Sequence, residues 1–475
     1  MSLCVDLKSS GWIFPTILLS LYGFLANCRP AEPFLTPYLI GPKNISETLV
    51  TNYLFPIWTY SYLAVLPVVF LLTDLLRYKP VIVLHGLFLV SNYVLLCFAP
   101  GLTAMTFLQF NYAVVTSTEV AYFSYIYSVI PTEHFQLATG YVRSAVLSGL
   151  TFGATLGQLL ISLAGVSYFM INAITLGLMA SAFIVSLFLP MPKMGMFFSP
   201  TVACADPLEE RREVPEIGLR AKAKSDRWSK DNLKTAARKM WANLKESYSS
   251  RRLVYWSLWW ALATANYCQV INYIQLMWDH IEPSSTSSVF NGAVEAVCTL
   301  VGFAAVFSVG YMRVRWEIWG ELFLGVFSAV GAVSVFFIGL TSNIWISYSC
   351  YIIFKATYML LITITTFQIA SNLSMECYAL TFGLNTFVAI ALQTVLTAAV
   401  VDNTGLGLDI TFQFIIYGGC YGVISVLFLL RGIYTAFTHH STHTGGNTHS
   451  IHPPHTQINT TTVTNKHTQK LSTKL

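Results

Sequence analysis

The chain has 475 residues, of which 55% are apolar, 14% are aromatic and only 10% are charged, with a formal net charge of +5. Soluble globular chains carry about 25% charged residues, so this composition excludes a soluble enzyme, a nucleic-acid-binding protein and a secreted disulfide scaffold. Fourteen of the 27 basic residues lie between Lys193 and Arg252, with long apolar blocks on either side. The class that remains is a polytopic membrane protein.

Twelve apolar stretches are long enough to be membrane-spanning helices, since a bilayer core about 30 Å thick needs about 20 apolar residues per helix. The first stretch follows Lys8 as in a signal peptide, but no small-x-small cleavage site follows it, so we predict a retained helix. The predicted spans are 11–28, 53–73, 80–99, 103–127, 136–164, 167–189, 254–278, 288–312, 316–341, 344–370, 379–401 and 412–436.

Six spans lie on each side of the basic linker, which predicts an all-α membrane protein with the major facilitator fold and two pseudo-symmetric six-helix halves. The predicted halves are residues 1–189 and 253–436, separated by a cytoplasmic linker over 190–252. Residues 227–248 of that linker have the period of a basic amphipathic helix that would lie on the inner leaflet. The polar residues 437–475 predict a disordered cytoplasmic tail.

The distribution of basic residues predicts that both termini face the cytoplasm. In that orientation the basic linker and the turns around Arg77 and Arg313 are inside, and only Arg29 and Lys43 fall in outside loops. Asn44 begins a glycosylation sequon in the first outside loop, in agreement with this orientation. We therefore predict a multi-pass protein of the plasma membrane with a glycan on Asn44.

Few ionisable residues remain inside the predicted spans, where each one costs about 2.5–3.5 kcal/mol on insertion scales. Glu119 and Arg143 lie in the first half, Glu295 and Lys355 lie in the second, and Glu32 comes just after span 1. Each half therefore holds one deep acid and one deep base. Two interpretations stay open: ion pairs that hold the bundle together, or charges that face a cavity and bind a charged solute. The neighbours of Glu119 and Glu295 favour the cavity for these two acids.

Those neighbours are polar and aromatic side chains that recur at helical spacing. Such faces are disfavoured next to lipid, so we predict that they point at the bundle axis. Carboxylates, carboxamides and aromatic rings together suit a flat, cationic, heteroaromatic solute. The predicted faces are Phe55, Trp58 and Tyr62; Gln109, Tyr112, Thr116 and Glu119; Gln269, Asn272 and Gln275; and Asn291, Glu295 and Thr299. No Walker motif, catalytic triad or metal-binding cluster accompanies them, so we predict neither an enzyme nor a cofactor or metal site.

Several long strings of residues are typical of a known family. Over nearly all of residues 11–436 the chain resembles the reduced folate carrier and thiamine transporter family of the major facilitator superfamily, and within it the thiamine transporters. The strings that carry the resemblance are Arg29-Pro30-Ala31-Glu32-Pro33-Phe34-Leu35-Thr36-Pro37-Tyr38, Trp58-Thr59-Tyr60-Ser61-Tyr62, Trp256-Ser257-Leu258-Trp259-Trp260, Asn291-Gly292-Ala293-Val294-Glu295-Ala296 and Phe382-Gly383-Leu384-Asn385-Thr386-Phe387.

The resemblance implies that an aromatic and acidic cluster holds the two rings of thiamine. Folate is a dianion, and folate carriers have an arginine at the position of Glu119 and a lysine at that of Gln393. The missing positive charges favour a cationic cargo here. The positions that match the thiamine cluster are Phe55, Trp58, Tyr112, Asn272 and Glu295.

Three positions depart from the thiamine transporters. Gln109 stands in place of a glutamate, Tyr93 in place of a tryptophan and Leu150 in place of a tyrosine. A glutamine still hydrogen-bonds to an aminopyrimidine but brings no charge, and a leucine removes a ring. Weaker thiamine transport and a shift to a related ring such as pyridoxine both remain open.

The predicted function is secondary active or facilitative transport of thiamine, by alternating access of the two halves to a site between them. Glu32, Glu119 and Glu295 are candidates for proton linkage, because burial favours the neutral form of a carboxylate. Arg143 and Lys355 are interpreted as partners of the acids. The alternatives are a transporter of pyridoxine or another related vitamin, a reduced folate transporter, and a vitamin receptor that does not transport.

Overall fold

The computed structural model describes residues 12–76, 78–131, 134–192, 248–309, 314–370 and 375–445, together with residues 238, 242 and 245. The amphipathic helix predicted over 227–248 lies almost wholly outside the described residues. Within them the secondary structure is helical, as the fold class predicts.

Twelve helices of 15 residues or more follow one another in the described part of the chain. Each predicted span overlaps one of them. They are α1 (Ile13–Asn27), α2 (Phe55–Leu75), α3 (Lys79–Phe98), α4 (Gly101–Val129), α5 (Phe135–Ser162), α6 (Tyr168–Leu187), α7 (Arg251–Ile281), α8 (Asn291–Val309), α9 (Trp316–Leu340), α10 (Ile344–Ala370), α11 (Met375–Leu396) and α12 (Ile410–Gly445).

Nine helices in the described residues are long and apolar enough to cross a membrane. The chain is therefore a multi-pass integral membrane protein. Helix α1 is not among the nine, since its 15 residues are fewer than the about 20 that cross a bilayer core. The count of twelve crossings stays a prediction.

Proline residues break the chain after α1 into short pieces. Pro30, Pro33 and Pro37 each lack a backbone N–H and cannot continue regular helical bonding. A 3-10 turn (Glu32–Phe34) and a short helix (Leu35–Ile40) follow α1 in place of a continuous helix. These pieces return the chain towards α2 and leave several backbone carbonyls near the axis of the molecule.

The helices form two bundles of six that meet along two seams. In the first bundle α1 packs on α5 and α6, while α4 packs on α2 and α3. In the second, α7 packs on α10, α11 and α12, and α8 packs on α10. The seams between the bundles are α2 against α11 and α5 against α8. This leaves space between the bundles along their common axis.

Helices α9 and α12 touch backbone to backbone on the outside of the second bundle. A Cβ atom built on Gly325 would lie 2.6 Å from the Leu429 nitrogen, and one on Gly432 would lie 2.3 Å from the Leu322 nitrogen. Only glycine permits such an approach. The two contacts lie three residues apart on each helix, within about one helical turn, so both glycines serve one crossing point of α9 and α12.

Hydrogen bonds join the halves at the end where α1 ends and α2 begins, which we call the closed end. The Tyr60 hydroxyl donates to Asp402 Oδ2 (2.8 Å), and Gln158 Nε2 donates to the Val289 carbonyl (2.8 Å). Hydrogen bonds from the Thr404 backbone N–H and from Tyr60 hold the pKa of Asp402 below its ordinary value. Asp402 is therefore an anion when it accepts the Tyr60 hydroxyl across the seam.

Helix α12 continues further than the sequence predicts. It ends at Gly445, whereas the predicted tail begins at residue 437. Thr438 is still within regular helical bonding, since its hydroxyl donates to the Tyr434 carbonyl one turn earlier. The rest of the predicted tail, from residue 446, lies outside the described residues.

Candidate functional site

A cavity of about 450 Å³ lies between the two bundles. Helices α1 to α5 and the turn after α1 form one wall, and helices α7, α8 and α10 form the other. The cavity brings together the candidate residues Glu32, Phe55, Trp58, Tyr93, Gln109, Tyr112, Glu119, Leu150, Asn272, Glu295 and Lys355.

The first half contributes a hydrogen-bonded cluster of three residues beside the turn after α1. Arg29 Nη1 donates to the Tyr112 hydroxyl (3.1 Å), which in turn donates to Glu32 Oε1 (3.0 Å). The Arg29 guanidinium also lies 3.6 Å from Glu32 Oε1, as an ion pair. Arg29 is only 9% exposed, so the carboxylate of Glu32 offsets a nearly buried cation.

The second half contributes an ion pair between α8 and α10. Lys355 Nζ donates to Glu295 Oε2, and the Tyr351 hydroxyl donates to Glu295 Oε1 (2.7 Å). Both oxygens of Glu295 are therefore occupied by partners from its own half. The side chains of Lys355 and Glu295 remain 13% and 23% exposed, because they border the cavity.

Glu119 differs from the other two acids of the cavity. Among the residues that the structure describes, none forms a hydrogen bond or an ion pair with its carboxylate. Arg29 attracts it and Glu32 repels it through space, and these two charges already offset each other. The cavity wall holds two basic residues, Arg29 and Lys355, and three acidic ones, so one acid is in excess, and Glu119 is the acid without a basic partner.

Aromatic rings form part of both walls. Trp58 stacks on Tyr62 (centroids 5.6 Å apart) and lies 6.4 Å from the Tyr112 ring, while its Nε1 donates to Thr116 Oγ1 (3.3 Å). On the opposite wall Tyr267 stacks on Tyr358 with centroids 3.7 Å apart and planes 10° apart. These contacts hold Trp58 and Tyr267 in fixed orientations on opposite walls of the cavity.

Two amide side chains in the wall have unused hydrogen-bonding groups. Asn272 Nδ2 is buried and has no hydrogen-bond partner among the described residues. Gln109 is 4% exposed and likewise forms no hydrogen bond within the described part of the chain. Buried amides without partners are unfavourable, so both are free to bind a polar group of a solute.

Some predicted residues lie away from the cavity. Arg143 is exposed on α5 and is not part of the cavity wall, so the base near Glu119 is Arg29. Gln269 is fully buried on the side of α7 that faces away from the cavity, where its Oε1 accepts hydrogen bonds from the Thr397 hydroxyl (3.2 Å) and from Gln393 Nε2. Gln269 and Gln275 are six residues apart, which places their side chains about 120° apart around α7, so they cannot share one face.

Asn44 is exposed in the loop at the closed end and has a positive φ of 52°. The glycan on Asn44 stays a prediction. Within the described residues no group of three or more His, Cys, Asp or Glu side chains is placed to hold a metal ion.

Among the wall residues that sequence reasoning missed, two contribute a charge or a stacked ring, Arg29 and Tyr267. Arg29 follows the predicted span 1 and so falls in a predicted outside loop, although its spacing of three from Glu32 is a signal for an ion pair. Tyr267 carries no such signal, since it lies off the predicted polar face of α7 and borders the cavity only through the packing of α7 on α10.

The chain is similar in sequence to known transport proteins. The family model described as "Reduced folate carrier" matches residues 10–416. Human thiamine transporter 2 is 48% identical over 455 residues, which cover 90% of this chain and 92% of that protein. Human thiamine transporter 1 is 46% identical over 89% of this chain and 90% of its own length. The human reduced folate transporter is 36% identical over 91% of this chain and 74% of its own length.

Solved transporter structures share the fold. A POT family transporter in complex with a conjugated peptide superposes with a TM-score of 0.60 at 14% identity, over 88% of this chain and 96% of that chain. A nucleoside transporter superposes with a TM-score of 0.55 at 14% identity, over 88% of this chain and 98% of that chain. These similarities confirm the predicted major facilitator fold.

Proposed function

Because this chain belongs to the reduced folate carrier family, we propose that it transports thiamine across the plasma membrane. Two relatives with 46–48% identity over about nine-tenths of the chain carry the name thiamine transporter. Transport is secondary active or facilitative, and the cavity between the bundles is the substrate site.

The observation that carries this proposal is the unpaired carboxylate of Glu119. The pairs Arg29–Glu32 and Lys355–Glu295 are each neutral, so the ionised form of Glu119 gives the cavity one uncompensated negative charge. A cargo with a single positive charge restores neutrality, and thiamine has one on its thiazolium ring. A dianion such as folate would add repulsion, which favours the thiamine branch of the family over the folate branch.

The aromatic and amide residues suit the rings of thiamine. Trp58 and Tyr267 present ring faces from opposite walls, where an aromatic cation gains stacking and cation–π attraction. Gln109 and Asn272 have unused amide groups for the aminopyrimidine nitrogens. Gln109, Tyr93 and Leu150 line the same cavity, so their departures from the family pattern act directly on the cargo.

Transport proceeds by alternating access, with the closed end on the outside and both termini in the cytoplasm. The exposed position of Asn44 at the closed end supports this orientation. Glu119 is the best candidate for proton exchange, because it is the cavity acid without a partner. Its proton would leave as the cation binds, and Glu32 and Glu295 keep their own basic partners.

Competition uptake in cells that express the chain tests this function. We expect time-dependent accumulation of labelled thiamine that unlabelled thiamine abolishes and folate leaves unchanged. Stronger competition by pyridoxine would move the assignment to that vitamin. Binding that saturates at once without accumulation would make the chain a receptor. If the rate of uptake into vesicles does not change with an imposed pH gradient, proton exchange is excluded as part of the transport cycle.

A further inference from the structure

The turn after α1 separates the central cavity from the closed end. Glu32, Pro33, Leu35 and Thr36 line the central cavity. Pro37, one residue further, lines a small second cavity on the other side, together with Gln275 and Asn291. Residues 32–37 therefore form a wall one turn thick, which we call the plug. What holds the plug in place decides whether the closed end stays closed.

Gln275 of α7 fills a gap in the hydrogen bonding of the plug. A regular helix would bond the Thr36 N–H to the Glu32 carbonyl. Here the Thr36 N–H donates to Gln275 Oε1 (3.2 Å), and Gln275 Nε2 donates to the Glu32 carbonyl (3.1 Å). One amide side chain from the second half thus replaces a backbone bond of the first half and uses both of its polar atoms.

Asn291 of α8 fills the next gap. The Pro33 carbonyl would bond to the N–H of residue 37 in a regular helix, but Pro37 has none. Asn291 Nδ2 supplies the missing donor (3.2 Å), and the Tyr348 hydroxyl of α10 holds Asn291 Oδ1 (3.2 Å). Asn291 is 3% exposed, so water does not readily replace it. Two side chains of the other half thus supply hydrogen-bond partners that the prolines and the irregular turn deny to the backbone of the plug.

The geometry points to Gln275 and Asn291 as a latch, a pair of positioning residues that keeps the cavity closed to the outside and ties that closure to the substrate site. The tie is Glu32, whose carbonyl is held by Gln275 while its carboxylate is held by Tyr112 and Arg29 in the cavity wall. A cargo that moves Tyr112 or Arg29 in the cavity wall carries Glu32 with them and so shifts the same turn that the latch holds. This inference rests on transport as the proposed function.

Thiol labelling of intact cells tests the latch without any cargo. A cysteine replaces Leu108, which is 2% exposed and lines the cavity below the plug. A membrane-impermeant maleimide reports how often this position meets the outside, and the chain without Leu108→Cys gives the background from its nine native cysteines. We expect Gln275→Leu to raise the labelling rate about tenfold, since it removes two hydrogen bonds across the halves. Asn291→Leu should raise it by a smaller factor.

Two further variants keep the result interpretable. Gln275→Glu has the same size but lacks the donor to Glu32, so it should also raise labelling if the hydrogen bond matters rather than packing. Thr286→Val is the matched control, because the Thr286 hydroxyl bonds only to the Pro283 carbonyl of its own half. Labelling of Gln275→Leu, Gln275→Glu and Asn291→Leu at the parent rate, with normal surface levels, would overturn the latch. A parent chain that accumulates no thiamine would instead end the proposed function and leave the labelling result standing.

Discussion

The two halves of the cavity treat their central acids differently. Glu295 in the second half is bound by Lys355 and Tyr351, whereas Glu119 in the first half has no hydrogen bond or ion pair within the described residues. The two bundles have similar architecture, yet the second half presents an acid paired with a base and the first half presents a further acid without a partner. The comparison indicates that the first half sets the charge of the cargo and that the second half supplies a neutral wall.

The largest effect should come from Glu119→Gln. A charge pair several ångströms apart in a site of effective dielectric about 20 is worth about 2–4 kcal/mol, so initial uptake of labelled thiamine should fall at least about tenfold. Uptake of neutral pyridoxine, if present, should change much less. Glu321→Gln is the matched control, since Glu321 is paired with Arg431 (3.3 Å) away from the cavity. Equal losses in the two variants would contradict the role of Glu119.

Glu295→Gln should have a smaller effect on uptake but a clear effect on stability. It leaves Lys355 without its partner, and a broken pair costs up to about 3–5 kcal/mol when fully buried, less here because both groups border the cavity. We expect a lower melting temperature in detergent and about fivefold weaker uptake. Adding Lys355→Met removes the stranded cation and should restore most of the stability. A double variant no more stable than Glu295→Gln would show that the pair is not a unit.

Tyr112→Phe should reduce uptake modestly. The change removes one hydroxyl that joins Arg29 to Glu32, while the direct ion pair between them remains. A net loss of about 1 kcal/mol predicts about a fivefold weaker apparent affinity with an unchanged maximal rate. Saturation curves for parent and variant measure both quantities. A change in the maximal rate alone would assign Tyr112 to the motion of the halves instead.

The smallest effect should come from Asp402→Asn at the closed end. The pKa of Asp402 is lower in the folded protein than in the unfolded chain. The ionised carboxylate therefore stabilises the fold at pH values above the unfolded-state pKa, and this stabilisation is lost as the pH falls through the folded-state pKa. The ordinary pKa of an aspartate is 3.8, and that of Asp402 is lower, so the contribution should be constant between pH 5 and pH 8. Melting temperatures of parent and variant should differ by about 1 °C or less across that range, since exposed charge contacts contribute little. A difference that changes sharply near neutrality would point to another group.

The sequence predicts the helices well and the cavity in large part. Long apolar runs have one stable form in a bilayer, so each predicted span overlaps a helix. Steps of 3, 4 and 3 on α4 average close to the helical period, and Gln109, Tyr112, Thr116 and Glu119 all line the cavity. The steps of 3 on α7 drift around the helix, and Gln269 turns towards α11 and α12 instead.

The sequence predicts the partner of Glu295, which is Lys355, but not the base near Glu119, because that depends on how helices cross. Glu119 and Arg143 lie in adjacent spans of one half, yet α5 presents Arg143 away from the cavity and the turn after α1 brings in Arg29. That turn also gives Gln275 and Asn291 their partners, which are backbone groups and therefore leave no signal in residue types. Both features depend on the turn that Pro30, Pro33 and Pro37 impose after α1: the position of Arg29 beside the cavity and the backbone groups that Gln275 and Asn291 bind.

The backbone contact between α9 and α12 implies a second way for the protein to fail. Any side chain at Gly325 or Gly432 would force the two helices apart, far from the cargo. Such a variant would misfold and be degraded before it reached the plasma membrane. The few molecules that did reach the membrane would keep the normal substrate specificity. A natural variant there would therefore be sensitive to growth temperature and open to rescue by a stabilising ligand, whereas one at the unpaired carboxylate would be neither.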